Sequence, residues 1–339
     1  MLDYFKITLA IVHQTKTREA AVGLINPACR SRFFFHPHPT EKVFILFHGF
    51  TAAPYQFEPM GKALFKEGYN VIIPLMPGHG QAGNWNRDNP PPLPTEPSIY
   101  QQFALDWLEI AKTFGKQVIV GGLSGGATLA AWLSLERPQN ISKAILFAPF
   151  LSSSNNLVDA FVEVLPFYFE WLNKDNPGNF GYKGFRIPAL RVFLDIGQDI
   201  LERVANHPSV PMFLIHSASD PVIDSNEVRQ VFRALLMQQP KSWYHCLDKA
   251  LQIPHTMMTK QEGNNYPNLL TALTKAFVES DISWNKLIEI GYQILEGNTF
   301  DNAVNIVNSS QKVDPNVAVL LTVMDNQTIV DGHNTKLHK

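Results

Sequence analysis

At 339 residues, 45% of them hydrophobic, the chain can bury a full core, as one large α/β domain or as two ordinary ones. Its 28 basic and 30 acidic residues leave a formal charge of -2 with no long run of either sign, so composition gives no footprint for a nucleic acid or an anionic membrane. Two cysteines, Cys29 and Cys246, argue against a disulfide framework and exclude a cysteine-based metal site, and a reducing cytoplasm is the expected setting.

In chain order, "MLDYFKITLAIVHQTKT" is a poor signal peptide: its apolar run is short, Asp3 precedes it and no small-residue cleavage pattern follows. Leu2, Phe5, Leu9 and Val12 fall on one helical stripe, which predicts an amphipathic helix packed on the domain through those residues. "RSRFFFHP", "KVFILFHG" and "NVIIPLM" then read as strands, with the helical "YQFEPMGKALFKEGY" between the last two. Residues 81 to 97, with "NPPPLPTEP", must form an extended loop, because proline fits neither a helix interior nor a central strand. "YQQFALDWLEIAKTFG" reads as a helix, "QVIVGGL" as a strand, "ATLAAWLSLERP" as a helix and "KAILFAP" as a strand. Residues 151 to 209 interrupt this rhythm with the aromatic "LVDAFVEVLPFYFEWL", the Gly/Asn/Pro-rich "NKDNPGNFGYKG" and the helical "PALRVFLDIGQDILERV", an insertion expected to lie over the sheet as a helical cap. "PMFLIHS" and "SWYHCL" complete the strands. The tail from 281 to 339 carries an amphipathic "WNKLIEIGYQILEG" and a "NVAVLLTVMD" readable as strand or helix, and it could pack on the N-terminal helix or form a homodimer contact. No segment approaches transmembrane length. Alternating strands and helices predict a mostly parallel sheet with helices on both faces, its core built from 30–150 and 210–280.

Ser124 sits where "QVIVGGL" gives way to "ATLAAWLSL", a strand-to-helix turn of the kind that presents a nucleophile. So sharp a turn needs Gly122 and Gly126, since side chains there would strike neighbouring chain. A glycine-rich turn opening a helix or binding a phosphate is the competing explanation. A serine hydroxyl is a weak nucleophile without a base, and this topology orders the partners as Ser, acid, His. After "PMFLIHS" comes "ASDPVID", offering Asp220, with Asp224 the rival but placed to cap the following helix. After "SWYHCL" comes "DKALQIPHTMM", offering His255, its chain fixed by Pro254. His216 and His245 lie in strands and read as structural. Oxyanion donors are expected from the N–H groups of Gly125 and Phe50, with His48 and Gly49 shaping the "HGFTAAP" loop. "PGHG" at 77 to 80 reads as a tight turn at the same rim.

Together "FILFHGFTAAPYQF", "VIIPLMPGHG", "VGGLSGGATLA", "ASDPVID" and "IPHTMM" resemble the α/β-hydrolase superfamily, in particular its carboxylesterase and monoacylglycerol-lipase-like branch, over about residues 30 to 280. The resemblance implies Ser124 as nucleophile, His255 as base, Asp220 as its partner, Phe50 and Gly125 as oxyanion donors, and no metal or organic cofactor. A small-molecule acyl ester is the expected substrate, with a hydrophobic portion favoured by the apolar cap. Many relatives carry Met, Leu or Gln after the nucleophile, so Gly125 predicts a roomier or differently walled acyl side. Leu165, Phe167, Tyr168, Phe169 and Trp171 of the cap would supply apolar surface at the mouth. A thioesterase, an acyltransferase, a peptidase anchoring an amine on Glu163 or Glu170, and a ligand receptor without turnover remain alternatives on the same fold.

Overall fold

The computed structural model describes residues 2–152, 167–171, 176–307 and 310–337. In chain order its strands are β1 (Arg32–Phe34), β2 (Thr40–Phe47), β3 (Asn70–Ile73), β4 (Gly115–Leu123), β5 (Lys143–Phe147), β6 (Tyr168–Glu170), β7 (Gly184–Arg186), β8 (Met212–Ser217) and β9 (Trp243–Leu247). All but β6 and β7 join one sheet in the order β1-β3-β2-β4-β5-β8-β9, and these seven are the apolar runs expected as strands. β1 is antiparallel to β3; every other neighbouring pair in this sheet is parallel. A parallel sheet is covered on both faces, which is why β2 reads as an unbroken apolar run, buried from Val43 to Phe47. In register, Ile45 of β2 lies between Ile72 of β3 and Val120 of β4.

The helices are α1 (Leu2–Val22), α2 (Glu58–Lys66), α3 (Pro97–Ala111), α4 (Gly125–Glu136), α5 (Ile187–Arg203), α6 (Ser225–Gln238), α7 (Pro267–Glu279), α8 (Trp284–Leu295), α9 (Phe300–Ile306), α10 (Val317–Val323) and α11 (Asn326–Leu337). α2 packs with α7, whereas α4 packs with α3 and α5. α4 is buried all round, from Gly125 to Leu135, as befits a helix between sheet and cap. The chain runs from β2 to β3 on one side and then crosses to β4 on the other, so the carboxyl ends of β2 and β4 flank a topological switch point, the crevice where open α/β sheets bind ligands.

α1 forms as expected but is rotated from the expected stripe, of which Val12 is half-buried. Phe5 is 61% exposed and Leu9 53% exposed, and the packed side is Tyr4, Ile11, Thr15 and Glu19. Polar tethers set that rotation. The Tyr4 hydroxyl donates to the His36 carbonyl at 3.2 Å and accepts from Asn70 Nδ2 at 3.2 Å, its ring meets Phe114 edge-on, and Glu19 accepts from the Ser31 N–H at 3.1 Å.

Among its described residues the cap holds an antiparallel hairpin, β6 paired with β7, together with α5. Glu163 and Leu165, named above, lie outside the described residues, as does most of "LVDAFVEVLPFYFEWL". Residues 81 to 97 run as irregular chain up to α3, in keeping with their prolines. The tail is continuous with the main core through Ile282, Trp284, Leu287, Leu320 and Ile329, and "NVAVLLTVMD" is helical, as α10. Trp284 meets Phe232 of α6 edge-on with ring centroids 5.1 Å apart, and Trp243 of β9 donates through Nε1 to the Ile282 carbonyl at 3.2 Å. No described helix is long and apolar enough to cross a membrane.

Candidate active site

β4 ends at Leu123 and α4 begins at Gly125, leaving Ser124 alone on the turn with φ 55° and ψ -121°. A non-glycine residue at positive φ is strained, and surrounding structure must hold it there. Here the Ser124 N–H donates to the Phe147 carbonyl at 2.9 Å and its carbonyl accepts from the Thr128 N–H at 2.9 Å. A Cβ at Gly122 would collide with the backbone of Gly126, and one at Gly126 with the carbonyls of Phe47 and His48, so both glycines permit the close approach of turn, helix and β2.

The Ser124 hydroxyl donates to His255 Nε2 at 2.9 Å, and His255 Nδ1–H donates to Asp220 Oδ2 at 2.7 Å. Three segments after different strands thus meet at one point: the turn after β4, the loop after β8 and the loop after β9. The Asp220 side chain is fully buried, and its other oxygen accepts from the Val222 N–H at 2.8 Å. A carboxylate acceptor on Nδ1 selects the tautomer whose Nε2 lone pair faces the serine. Asp224 is not part of this chain. It caps α6, accepting from the Asn226 N–H at 2.7 Å and the Glu227 N–H at 3.4 Å. His216 is buried and bonded through Nε2 to the Tyr244 hydroxyl at 2.8 Å; burial pulls its pKa down to about 4, and burial does the same to His245.

The loop after β2 borders the same point. His48 is fully buried, and burial holds it far below the usual imidazole range, with His79 adding to the effect. Its Nε2 accepts from the Met76 N–H at 3.0 Å, so the remaining proton sits on Nδ1, 2.9 Å from the Gly49 carbonyl it donates to. His48 therefore ties the loop to the chain leaving β3. His79 of "PGHG" is buried too, its ring 5.1 Å from that of His48 and its pKa pulled down to about 4 by burial. Gly49 donates its N–H to Gln56 Oε1 at 2.8 Å. The Gly125 N–H belongs to the first turn of α4, where helical N–H groups lack a partner within the helix.

Aromatic rings close over this loop. Phe50 lies 4.9 Å from Phe185 of β7 and 5.4 Å from Phe193 of α5, and Trp171 lies 5.0 Å from Phe185. Trp171 Nε1 donates to Thr51 Oγ1 at 2.8 Å, and the Tyr182 N–H donates to the Thr51 carbonyl at 2.8 Å. Thr51 has φ 64°, so the cap grips the loop at its one strained residue. Of the cap residues expected at the mouth, Trp171 is half-buried, whereas Phe167 and Phe169 are 51% and 43% exposed and Glu170 is exposed on β6. Sequence reading missed Gln56, Thr51, Phe193 and the buried Glu262. Only the helical pattern of "PALRVFLDIG" bore on Phe193, without singling it out.

The sequence profile of the α/β-hydrolase fold family matches residues 42–195. A Mycoplasma pneumoniae protein named esterase/lipase 3 is 29% identical over 126 residues, which are 37% of this chain and 43% of that protein, so the match spans less than half of the curated relative. Among solved structures, one described under LipS and LipT, two metagenome-derived lipolytic enzymes, aligns over 74% of this chain and 98% of its own with a TM-score of 0.59 at 16% identity. The monoacylglycerol lipase of Paleococcus ferrophilus aligns over 73% of this chain and 97% of its own with a TM-score of 0.57 at 14% identity. These likenesses extend to the fold. With its sheet order, its strand-turn-helix at Ser124 and the matching profile, the chain has the α/β-hydrolase fold.

Proposed function

We propose that the protein is a serine hydrolase that cleaves small carboxylic esters with a hydrophobic portion through an acyl-enzyme. The hydrogen-bonded series Ser124, His255, Asp220, at 2.9 and 2.7 Å, carries this reading. Ser124 attacks the ester carbonyl carbon while His255 Nε2 takes the hydroxyl proton, and Asp220 orients the imidazole and stabilises its charged form. The N–H groups of Phe50 and Gly125 receive the oxyanion, each such donor contributing about 2.7–4 kcal/mol to barrier lowering. His255 returns the proton to the leaving alcohol, and the same base then activates water to release the acid. The aromatic cluster of Phe50, Phe185, Phe193 and Trp171 supports an apolar acyl or alcohol group.

A fluorophosphonate should label Ser124, located by mass spectrometry of the modified peptide, and Ser124→Ala should lower turnover of p-nitrophenyl acyl esters by about 10^4-fold or more. Ester turnover untouched in that variant would end the serine mechanism. Asp220→Asn should cost far more activity than Asp224→Asn, and the reverse order would exchange their roles. Faster turnover of aminoacyl anilides than of esters would move the reading to a peptidase.

A further inference from the structure

Two loops of equal reach face each other across the site. Gln56 follows Gly49 by seven positions, and Glu262 follows His255 by seven. The first loop carries the Phe50 N–H and the second carries the imidazole. Their far ends meet at a buried contact, Gln56 Nε2 donating to Glu262 Oε1 at 2.8 Å. Tyr55 donates its hydroxyl to the same oxygen at 3.2 Å, and Thr259 Oγ1 donates to Oε2 at 2.9 Å. The backbone of Glu262 is fixed as well: its N–H donates to Thr259 Oγ1 at 3.1 Å, and its carbonyl accepts from Thr256 Oγ1 at 3.3 Å.

The donor pattern dictates the residue type. Gln56 Oε1 already accepts from the Gly49 N–H, which fixes the orientation of the carboxamide and turns its NH2 group toward position 262. Only an acceptor serves there. A carboxylate offers acceptors alone, so three donors can converge on it. An ionised carboxyl out of water persists only against such compensation. Residue 262 is 8% exposed, and the Ser124–His255–Asp220 series does not use it.

We propose that Glu262 is a positioning residue: acting through Gln56, it holds the oxyanion loop in register with the loop that bears His255. This rests on the serine-hydrolase reading above. The tie runs from the Glu262 carboxylate to the Gln56 carboxamide, to the Gly49 N–H, and so to the peptide that presents Phe50 N–H. Release of the anchor leaves substrate binding largely in place and misplaces a donor used in the transition state, so kcat falls while KM holds. The titratable groups facing the carboxyl are Tyr55 and His255. Burial pushes this carboxyl up to about 7, with the donated bonds of Gln56, Thr259 and Tyr55 and the charge of His255 pulling the other way. Protonation puts a hydrogen among three donors, so the tie weakens on the acid side of that value.

The test uses the full chain and p-nitrophenyl acyl esters, comparing Glu262→Ala, Glu262→Gln, Gln56→Ala and the Gln56→Ala/Glu262→Ala double variant. Glu262→Ala and Gln56→Ala are each expected to lower kcat about 10- to 100-fold with KM within about twofold. The double variant is expected to lose no more than the worse single one, because one tie is being cut twice. Glu262→Gln keeps an acceptor toward Gln56 and should recover most of kcat above the carboxyl's titration, with a shallower acid limb in its pH profile than the wild type. Thermal melts establish that each variant is folded, and Glu262→Gln and Gln56→Ala carry the test if Glu262→Ala is not. Folded variants with unchanged kcat, additive losses in the double variant, or a Glu262→Gln profile with the wild-type acid limb would each overturn the role of Glu262. Fluorophosphonate labelling of wild-type Ser124 separates the two levels. With label present these results strike only the positioning role, and with label absent the hydrolase reading falls and takes the positioning role with it.

Discussion

Gly125 is the residue where chemistry and packing meet most closely. A Cβ there would lie 2.9 Å from Phe193 Cδ1, and Phe193 is fully buried among Phe50, Tyr100 and Gly125. The space left by the missing side chain is therefore filled from the cap, which under the proposed function makes the acyl side differently walled rather than roomier. Gly125→Met should lose ester turnover, because a buried ring cannot retreat as a flexible chain end can. In Gly125→Met/Phe193→Ala part of that turnover should return. Phe193→Ala alone should cost about 3–5 kcal/mol of stability and raise relative kcat/KM for bulkier acyl groups, as read from melts and an ester panel. A panel with unchanged preference would remove Phe193 from the pocket wall. At this scale the sequence was legible where a short motif states a chemical need. Ser124 lies between obligatory glycines, and Asp220 and His255 follow strand ends. Gln56 and Glu262 were not legible, since each is an ordinary polar residue until a contact across 206 positions joins them.

At the scale of the element, periodicity found what periodicity can describe. The seven sheet strands and the long helices follow from apolar runs and their spacing. β6 and β7 did not, because neither stands as an apolar run of its own: β6 lies within the longer aromatic stretch of the cap and β7 holds one large apolar residue, Phe185. α1 shows the other limit. Its existence was legible and its rotation was not, since Tyr4 and Glu19 anchor the helix by hydrogen bonds that outweigh an apolar stripe. Phe5→Ser and Leu9→Gln should accordingly change stability by no more than about 0.5 kcal/mol. Tyr4→Phe, which removes the tether to His36 and Asn70, should cost about 0.5–1.5 kcal/mol. Denaturant titration decides between the faces, and a large loss from Leu9→Gln would restore the stripe.

Over the whole molecule, Glu279 at the end of α7 joins parts far apart in sequence. It pairs with Lys42 of β2 at 2.7 Å and Lys312 of the tail at 2.6 Å, and it also accepts from the Tyr69 hydroxyl. Burial works to raise its pKa, but the bonds from Lys312, Lys42 and Tyr69 prevail and hold it down to about 2. The folded value lies below the ordinary 4.5, so its contribution to stability is full above that value and is lost as pH falls toward 2. Glu279→Gln should lower stability at neutral pH by roughly 1.5–3 kcal/mol and flatten the decline of stability with acid over that window, as measured by denaturant melts across pH. An unchanged acid limb would mean that the Glu279 ion pairs do not hold the tail.

The long reach of the site's contacts also fixes when it can work. Ser124 lies 131 residues before His255, and Gln56 lies 206 before Glu262. During synthesis the elbow and the oxyanion loop emerge first, without base or anchor. Contacts this distant in sequence form late, after the loops between them have closed. Under the proposed mechanism, a nascent chain that has not yet added residues 255–262 lacks both base and anchor, and Ser124 is expected to gain its reactivity only with the loop after β9.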